Sequence, residues 1–118
     1  MSKLRDKVKA LQDIRKEKIT VEEWEGMVLE ARTMRALDRA KLLRDCVDKD
    51  GTVNVEKFQA GLIIASYYDP ETGEKVFTDE DYDVLLGKAA GVIERLSNFA
   101  MGLSGLSKDA IATAEKNS

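Results

Sequence analysis

Residues 68–106, YDPETGEKVFTDEDYDVLLGKAAGVIERLSNFAMGLSGL, decide how the rest of the chain can fold. The stretch reads as a tight acidic turn, a short extended arm, a capped helix start and one long apolar helix. Tyr82, Leu85, Ala89, Val92, Leu96, Phe99 and Leu103 recur at alternating spacings of three and four, which puts them on one helical stripe. Leu86, Ala90, Ile93, Ala100 and Met101 widen that stripe until less than half of the helix is left for water. Unbroken from Asp79 to Leu103, the helix would be roughly 37 Å long at about 1.5 Å per residue. Such a rod is a beam for the rest to pack on, and part of it is left over for a partner.

Its ends are signalled. Thr78 suits an N-cap, and Asp79, Glu80 and Asp81 set carboxylates against the positive end of the helix dipole. Gly102, Ser104 and Gly105 mark the exit. Gly87 and Gly91 lie one turn apart inside the helix, each costing about 1 kcal/mol relative to alanine. They are read as a site of close helix packing, where another backbone approaches.

At 118 residues the chain is long enough for one modest core, expected as a single helical domain over 1–106 with 107–118 a short helical or frayed tail. Charged residues make up 35% and apolar ones 43%, as in a soluble helix-rich protein. No apolar run is long enough for a bilayer, so no membrane partner is expected. The charged start, MSKLRDKVKALQ, does not read as a signal peptide. The lone Cys46 forms no internal disulfide, fits a reducing compartment, and is read as a small buried residue. Histidine is absent, which removes the commonest general base and transition-metal ligand together. No catalytic residue, metal ligand or cofactor is expected.

The charge is unevenly placed. Residues 1–18 carry seven Lys/Arg against three acids, and residues 69–83 carry seven acids against Lys75. That asymmetry suits self-association or a partner with complementary patches. It does not suit nucleic acid, because the basic segment has no interleaved aromatics and the net charge is −3.

Further along, residues 3–17 are predicted as an amphipathic helix with Leu4, Val8, Leu11 and Ile14 on one face. Segment 18–32 is open to two readings. Ile19 and Val21, then Met27, Leu29 and Ala31, alternate as in a β-hairpin turned at Trp24-Glu25-Gly26. Thr20 with Glu23 resembles a capping box, however, and Val21, Trp24, Val28 and Ala31 are helically spaced. Thr33 is predicted to cap a helix whose face is Met34, Leu37, Ala40 or Lys41, and Leu43 or Val47, ended by DKDG at 48–51. Another helix is predicted from about Val55 to Ser66, with Phe58, Leu62, Ile63 and Ala65 on its face. Tyr67–Asp69 and Lys75–Phe77 flank PETG as a small hairpin, with Tyr68 expected to face Phe77. Ser107 is predicted to cap one more short turn, and TAEKNS to fray. The fold class is α+β, mainly α: a helical domain of four or five helices with one or two small β-hairpins and a long C-terminal helix.

DKDGTVNVEKF at 48–58 looks like part of a calcium-binding EF-hand loop, which needs a carboxylate first, a glycine sixth and a glutamate twelfth. With Gly51 sixth, Cys46 stands first and Lys57 twelfth; with Asp48 first, Val53 and Gln59 take the other two places. Neither register supplies the ligands, so the segment is read as a helix–turn–helix corner. Asp79, Glu80, Asp81 and Asp83 are read as dipole complements rather than a magnesium site. The candidate contact residues are Trp24, Tyr67, Tyr68, Phe99, Met101 and Leu103, taken as aromatic anchors or as the leftover end of the stripe.

KITVEEWEGMVLEARTM, RDCVDKDG and FQAGLIIASYYDPETGEKVFTDED followed by the long helix to SGLS resemble, in that order over roughly residues 18–107, the tail assembly chaperones of long-tailed, siphovirus-type phages. The resemblance implies a non-enzymatic morphogenesis factor that binds the tape measure protein in the cytoplasm of the infected host. It would keep that protein soluble until tail tube subunits polymerise around it, with the tail tube protein as a further partner, and be absent from the mature virion. It also favours the hairpin over 18–32. Glu115-Lys116-Asn117 is compatible with a slippery heptamer, A AAA AAC, of the kind used for a longer frameshifted product in this family. A structural connector or adaptor subunit retained in the particle is the alternative reading.

Overall fold

A computed structural model describes residues 3–105. The readings placed on Ser107, on TAEKNS and on the 115–117 ending lie outside the described residues.

Segment 18–32 is a hairpin. Strands β1 (Lys16–Val21) and β2 (Met27–Arg32) pair antiparallel, with Ile19 opposite Leu29 and Val21 opposite Met27. A 3-10 turn over Glu22–Trp24 leads to Glu25 at φ 58° and Gly26 at φ 73°, left-handed backbone that reverses the chain. Alternation wins over the helical pattern because it buries Val21, Leu29 and Ala31 together and leaves Val28 outside. A short strand β3 (Tyr67–Tyr68) joins the other edge of β2, with Tyr67 opposite Ala31, so the sheet order is β1-β2-β3.

The expected hairpin after β3 is present in minimal form. Tyr68 bridges to Lys75, the Asp69 and Glu74 main chains bond at 2.8 Å, and Gly73 takes φ 76° in the turn. Tyr68 and Phe77 do not face each other. The Arg32 guanidinium lies 3.9 Å from the centre of the Tyr68 ring and is held by Glu30 at 2.9 Å, while Phe77 stands edge-on to Trp24 at 6.4 Å.

Among the described residues five helices accompany the sheet: α1 (Lys3–Ala10), α2 (Ala36–Cys46), α3 (Val55–Ser66), α4 (Tyr82–Leu86) and α5 (Ala90–Leu103). Three expectations change. The first helix stops at Ala10, not residue 17, because Arg15 is already tied to the sheet: its N–H donates to Thr33 Oγ1 at 3.0 Å, and its carbonyl accepts from Thr33 N–H at 2.9 Å. With Thr33 so engaged, Arg35 stands at the α2 N-cap; Met34, Leu43 and Val47 turn inward as expected, Leu42 joins them, and Leu37 stays exposed. The long helix is broken. A 3-10 turn over Asp79–Asp81 opens α4, which ends at Gly87, and Ala89 is extended (φ −58°, ψ 130°) before α5 starts. A straight rod fixes one direction for its whole stripe; the break lets α4 pack on α3 and α5 on both α3 and the sheet.

The core lies between the sheet, α3 and α5, built on Leu29, Ala31, Phe58, Leu62, Ile63, Tyr67, Val92 and Leu96. Asn54 Oδ1 accepts from Lys57 N–H at 3.0 Å and so caps α3. Ser104 Oγ accepts from Met34 N–H at 3.0 Å, anchoring the end of α5 where β2 passes into α2.

Candidate interaction surface

The structure separates the six candidate contact residues. Tyr67 is fully buried, and its hydroxyl donates to the Leu96 carbonyl at 2.6 Å; Met101 and Leu103 are buried as well. These three are core residues, not a surface, because α5 turns the leftover end of its stripe against the rest of the fold. Trp24, Tyr68 and Phe99 are half-buried but stand on separate patches: Trp24 at the hairpin turn, Tyr68 under Arg32, and Phe99 in a shallow hollow with Ile19 and Gly91.

The packing glycines are also reassigned. A Cβ on Gly91 would meet nothing within 4 Å, and one on Gly87 only main-chain oxygens of its own chain, Val84 O at 3.4 Å and Asp83 O at 3.5 Å. Gly87 breaks the helix rather than receiving a neighbour. The close approach is at Gly61, where a Cβ would lie 2.5 Å from Leu42 Cδ1 on α2. Sequence reading passed over Gly61, since nothing in its own helix distinguishes it; Leu42 becomes its neighbour only when α2 folds onto α3.

An apolar opening of the surface lies at the hairpin turn. Trp24, Met27 and Leu29 of the hairpin, Val76 and Phe77, and Val84 and Leu85 of α4 line a groove of about 320 Å³. Met27 continues the core face of β2 past the point where the core covers it and is 53% exposed; Val84 on α4 is 55% exposed. Glu25 and Lys88 stand at its lip. The edge contact of Trp24 with Phe77 ties the hairpin turn to the segment before α4, and the Glu23–Arg95 ion pair at 2.7 Å links the turn to α5. Exposed apolar grooves are the kind of surface that accepts the apolar face of a helix.

A larger cleft, about 570 Å³, lies between α2 and α3 and carries both signs of charge: Arg35, Lys41, Lys57 and Lys75 against Asp38, Asp45 and Asp79. Cys46 and Tyr82 also line it. Burial, with the Asp45 charge behind it, pushes the Cys46 thiol up to about 11, which disarms it as a nucleophile. Burial likewise raises the Tyr82 hydroxyl, reinforced by Glu56, Cys46 and Asp83. At the 48–54 corner the side-chain oxygens serve the backbone, Asp50 Oδ1 accepting from Thr52 N–H at 3.2 Å. Among the described residues no group of carboxylates and thiols is arranged to hold a metal ion, and no helix is long and apolar enough to cross a membrane.

No protein-family model and no curated protein matches the chain. Among solved structures, that of the bacteriophage HK97 tail assembly chaperone aligns with a TM-score of 0.64 over 92% of this chain and 100% of the other, at 19% sequence identity. The chain has the fold of the HK97 tail assembly chaperone. The likeness read from the motifs of residues 18–107 therefore extends to the three-dimensional arrangement, over nearly the full length of both chains. At this identity the shared property is the fold, and the groove is described from this chain's own residues.

Proposed function

We propose that the protein is a non-catalytic phage tail assembly chaperone that takes a helical segment of the tape measure protein into the groove of Trp24, Met27, Phe77 and Val84. The fold shared with the HK97 protein supports the chaperone class. The observation that carries the binding site is the groove itself: an exposed apolar surface on elements held by core contacts and an ion pair. A long apolar helix left in water would aggregate, and covering part of it in a preformed groove costs little ordering of the host surface. Its place of action would be the cytoplasm of the infected host, with the protein released before the virion matures.

The test is co-expression of the chain with a tape measure protein from the same genome. The expected result is a soluble complex that survives purification and is lost in Met27→Lys/Val84→Lys, both exposed positions whose replacement leaves the circular dichroism unchanged. A tape measure protein that stays equally soluble with the double variant would sink the groove assignment. The chain in purified virions would replace the chaperone reading by that of a connector.

A further inference from the structure

We infer that the groove selects an amphipathic helix with a basic residue along one flank of its apolar stripe and an acidic residue along the other, and that Glu25 and Lys88 make the selection. The inference rests on the reading of the groove as a helix site and adds the class of helix it takes. Every other residue lining the opening is apolar or aromatic, so these two are where charge is read. They carry opposite signs and come from different elements, Glu25 from the hairpin turn and Lys88 from the break between α4 and α5. Neither charge is used within the chain. Among the described residues the Glu25 and Lys88 side chains take no ion pair and no hydrogen bond, whereas the neighbouring Glu23 is held by Arg95 at 2.7 Å.

Both main chains are nonetheless fixed. Gly26 N–H bonds to the Val21 carbonyl at 3.1 Å, and Lys88 N–H to the Leu85 carbonyl at 3.1 Å. Glu25 also stands at φ 58°, among the described residues the only positive φ that is not a glycine's. Glycine or asparagine holds such backbone at less cost, and glutamate there adds strain without an internal contact in return. Strain at a residue with no partner inside the fold points to a role at the surface it lines. A helix lying in the groove presents one flank to each element. With its apolar stripe against Met27 and Val84, a cation on the flank beside Glu25 and an anion on the flank beside Lys88 are both matched. Running the helix the other way exchanges its flanks and sets like charges together, so the pair also gives the bound helix one direction. A helix with the same sign on both flanks meets one repulsion in either direction.

Trp24 is the only tryptophan of the chain and lines the groove, so its emission reports binding. The probes are designed helices of about 18 residues, or five turns, with one leucine stripe. The stripe is bordered by lysine on one flank and glutamate on the other, by lysine on both, or by glutamate on both. Wild type should bind the mixed helix about three- to tenfold more tightly than either of the others, the size expected of exposed charges. Glu25→Lys should move the preference to the doubly acidic helix, and Lys88→Glu to the doubly basic one. The double variant E25K/K88E should regain the preference for the mixed helix, docked in reverse. Circular dichroism should be unchanged throughout, since both positions are exposed. If Glu25→Lys disturbs the turn, Lys88→Glu decides alone. Equal affinity of wild type for the three helices, or a preference that the single variants leave unmoved, overturns the inference and leaves an unselective helix site. A Trp24 spectrum unmoved by every helix overturns the helix site itself, and the inference with it.

Discussion

The Tyr67 hydroxyl donates to the Leu96 main-chain carbonyl at 2.6 Å, pinning the edge of the sheet to the middle of α5. Tyr67 sits opposite Ala31 in the sheet and is fully buried, and burial raises its hydroxyl far above the ordinary value, so it stays a donor across the physiological range. Tyr67→Phe keeps the ring and removes the bond, and is expected to lower stability by about 1 kcal/mol in urea denaturation. Tyr67→Ala adds a cavity and should cost about 3–5 kcal/mol. Equal stability of Tyr67→Phe and wild type would show the bond contributes nothing.

Two glycine-to-alanine changes should move in opposite directions. Gly61→Ala drives a methyl to 2.5 Å from Leu42 Cδ1, so the half-buried Leu42 side chain must shift, and set against the same helix-propensity gain the net loss of stability should be at most about 1 kcal/mol. Gly91→Ala meets open space within α5 and should raise stability by about 0.5–1 kcal/mol through helix propensity. Thermal melts of the two variants decide this. A destabilised Gly91→Ala would restore the close helix contact that the structure lacks there.

The Cys46 thiol has its folded value raised from 9.0 to about 11, so the folded state holds the proton more tightly than the unfolded chain. Its contribution to stability is present below pH 9.0 and withdrawn as pH climbs through about 11. Wild type should therefore lose stability faster than Cys46→Ala over that interval. At neutral pH a disulfide reagent should label the native chain only at the rate of opening.

Glu23 carries the opposite sign. The hydrogen bonds from Arg95, at 2.7 and 3.1 Å, lower its carboxyl below the ordinary 4.5. Stability from the pair is present above pH 4.5 and is lost as pH falls through the depressed folded value. The stability difference between wild type and Glu23→Gln, small because both side chains are exposed, should vanish in acid and shrink in high salt. A difference that persists in acid would assign it to something other than the charge.

Much of the architecture was legible because local signals were strong. The α3 span from Val55 to Ser66 follows from its apolar spacing, and the turn at 69–74 from Pro70 and Gly73. The apolar stripe of the last helix identified Leu85, Val92 and Leu96 as inward-facing. Segment 18–32 carried both a two-residue and a three-to-four-residue period, and the residues alone left it undecided. The core chose, since only the strand places Leu29 and Ala31 beside Tyr67. The interaction surface was less legible, with Trp24 alone of the six candidates in the groove. Its other members, Met27, Phe77 and Val84, are unremarkable in their own segments and become a surface when the hairpin turn meets α4.

The sequence by itself determined what short-range physics can encode: the helix from Val55 to Ser66, the turn at 69–74, that Cys46 is buried, and the order of elements that resembles a tail assembly chaperone. The tertiary structure decided what depends on partners distant along the chain. It broke the long helix at Gly87–Ala89, because α4 and α5 bury their faces against different neighbours. It drew Tyr67, Met101 and Leu103 inward and left Val8, Leu11, Met27 and Val84 outside. Hydrophobic periodicity states that a face will be covered; whether its cover comes from the same chain or from another molecule is set by which elements can reach it.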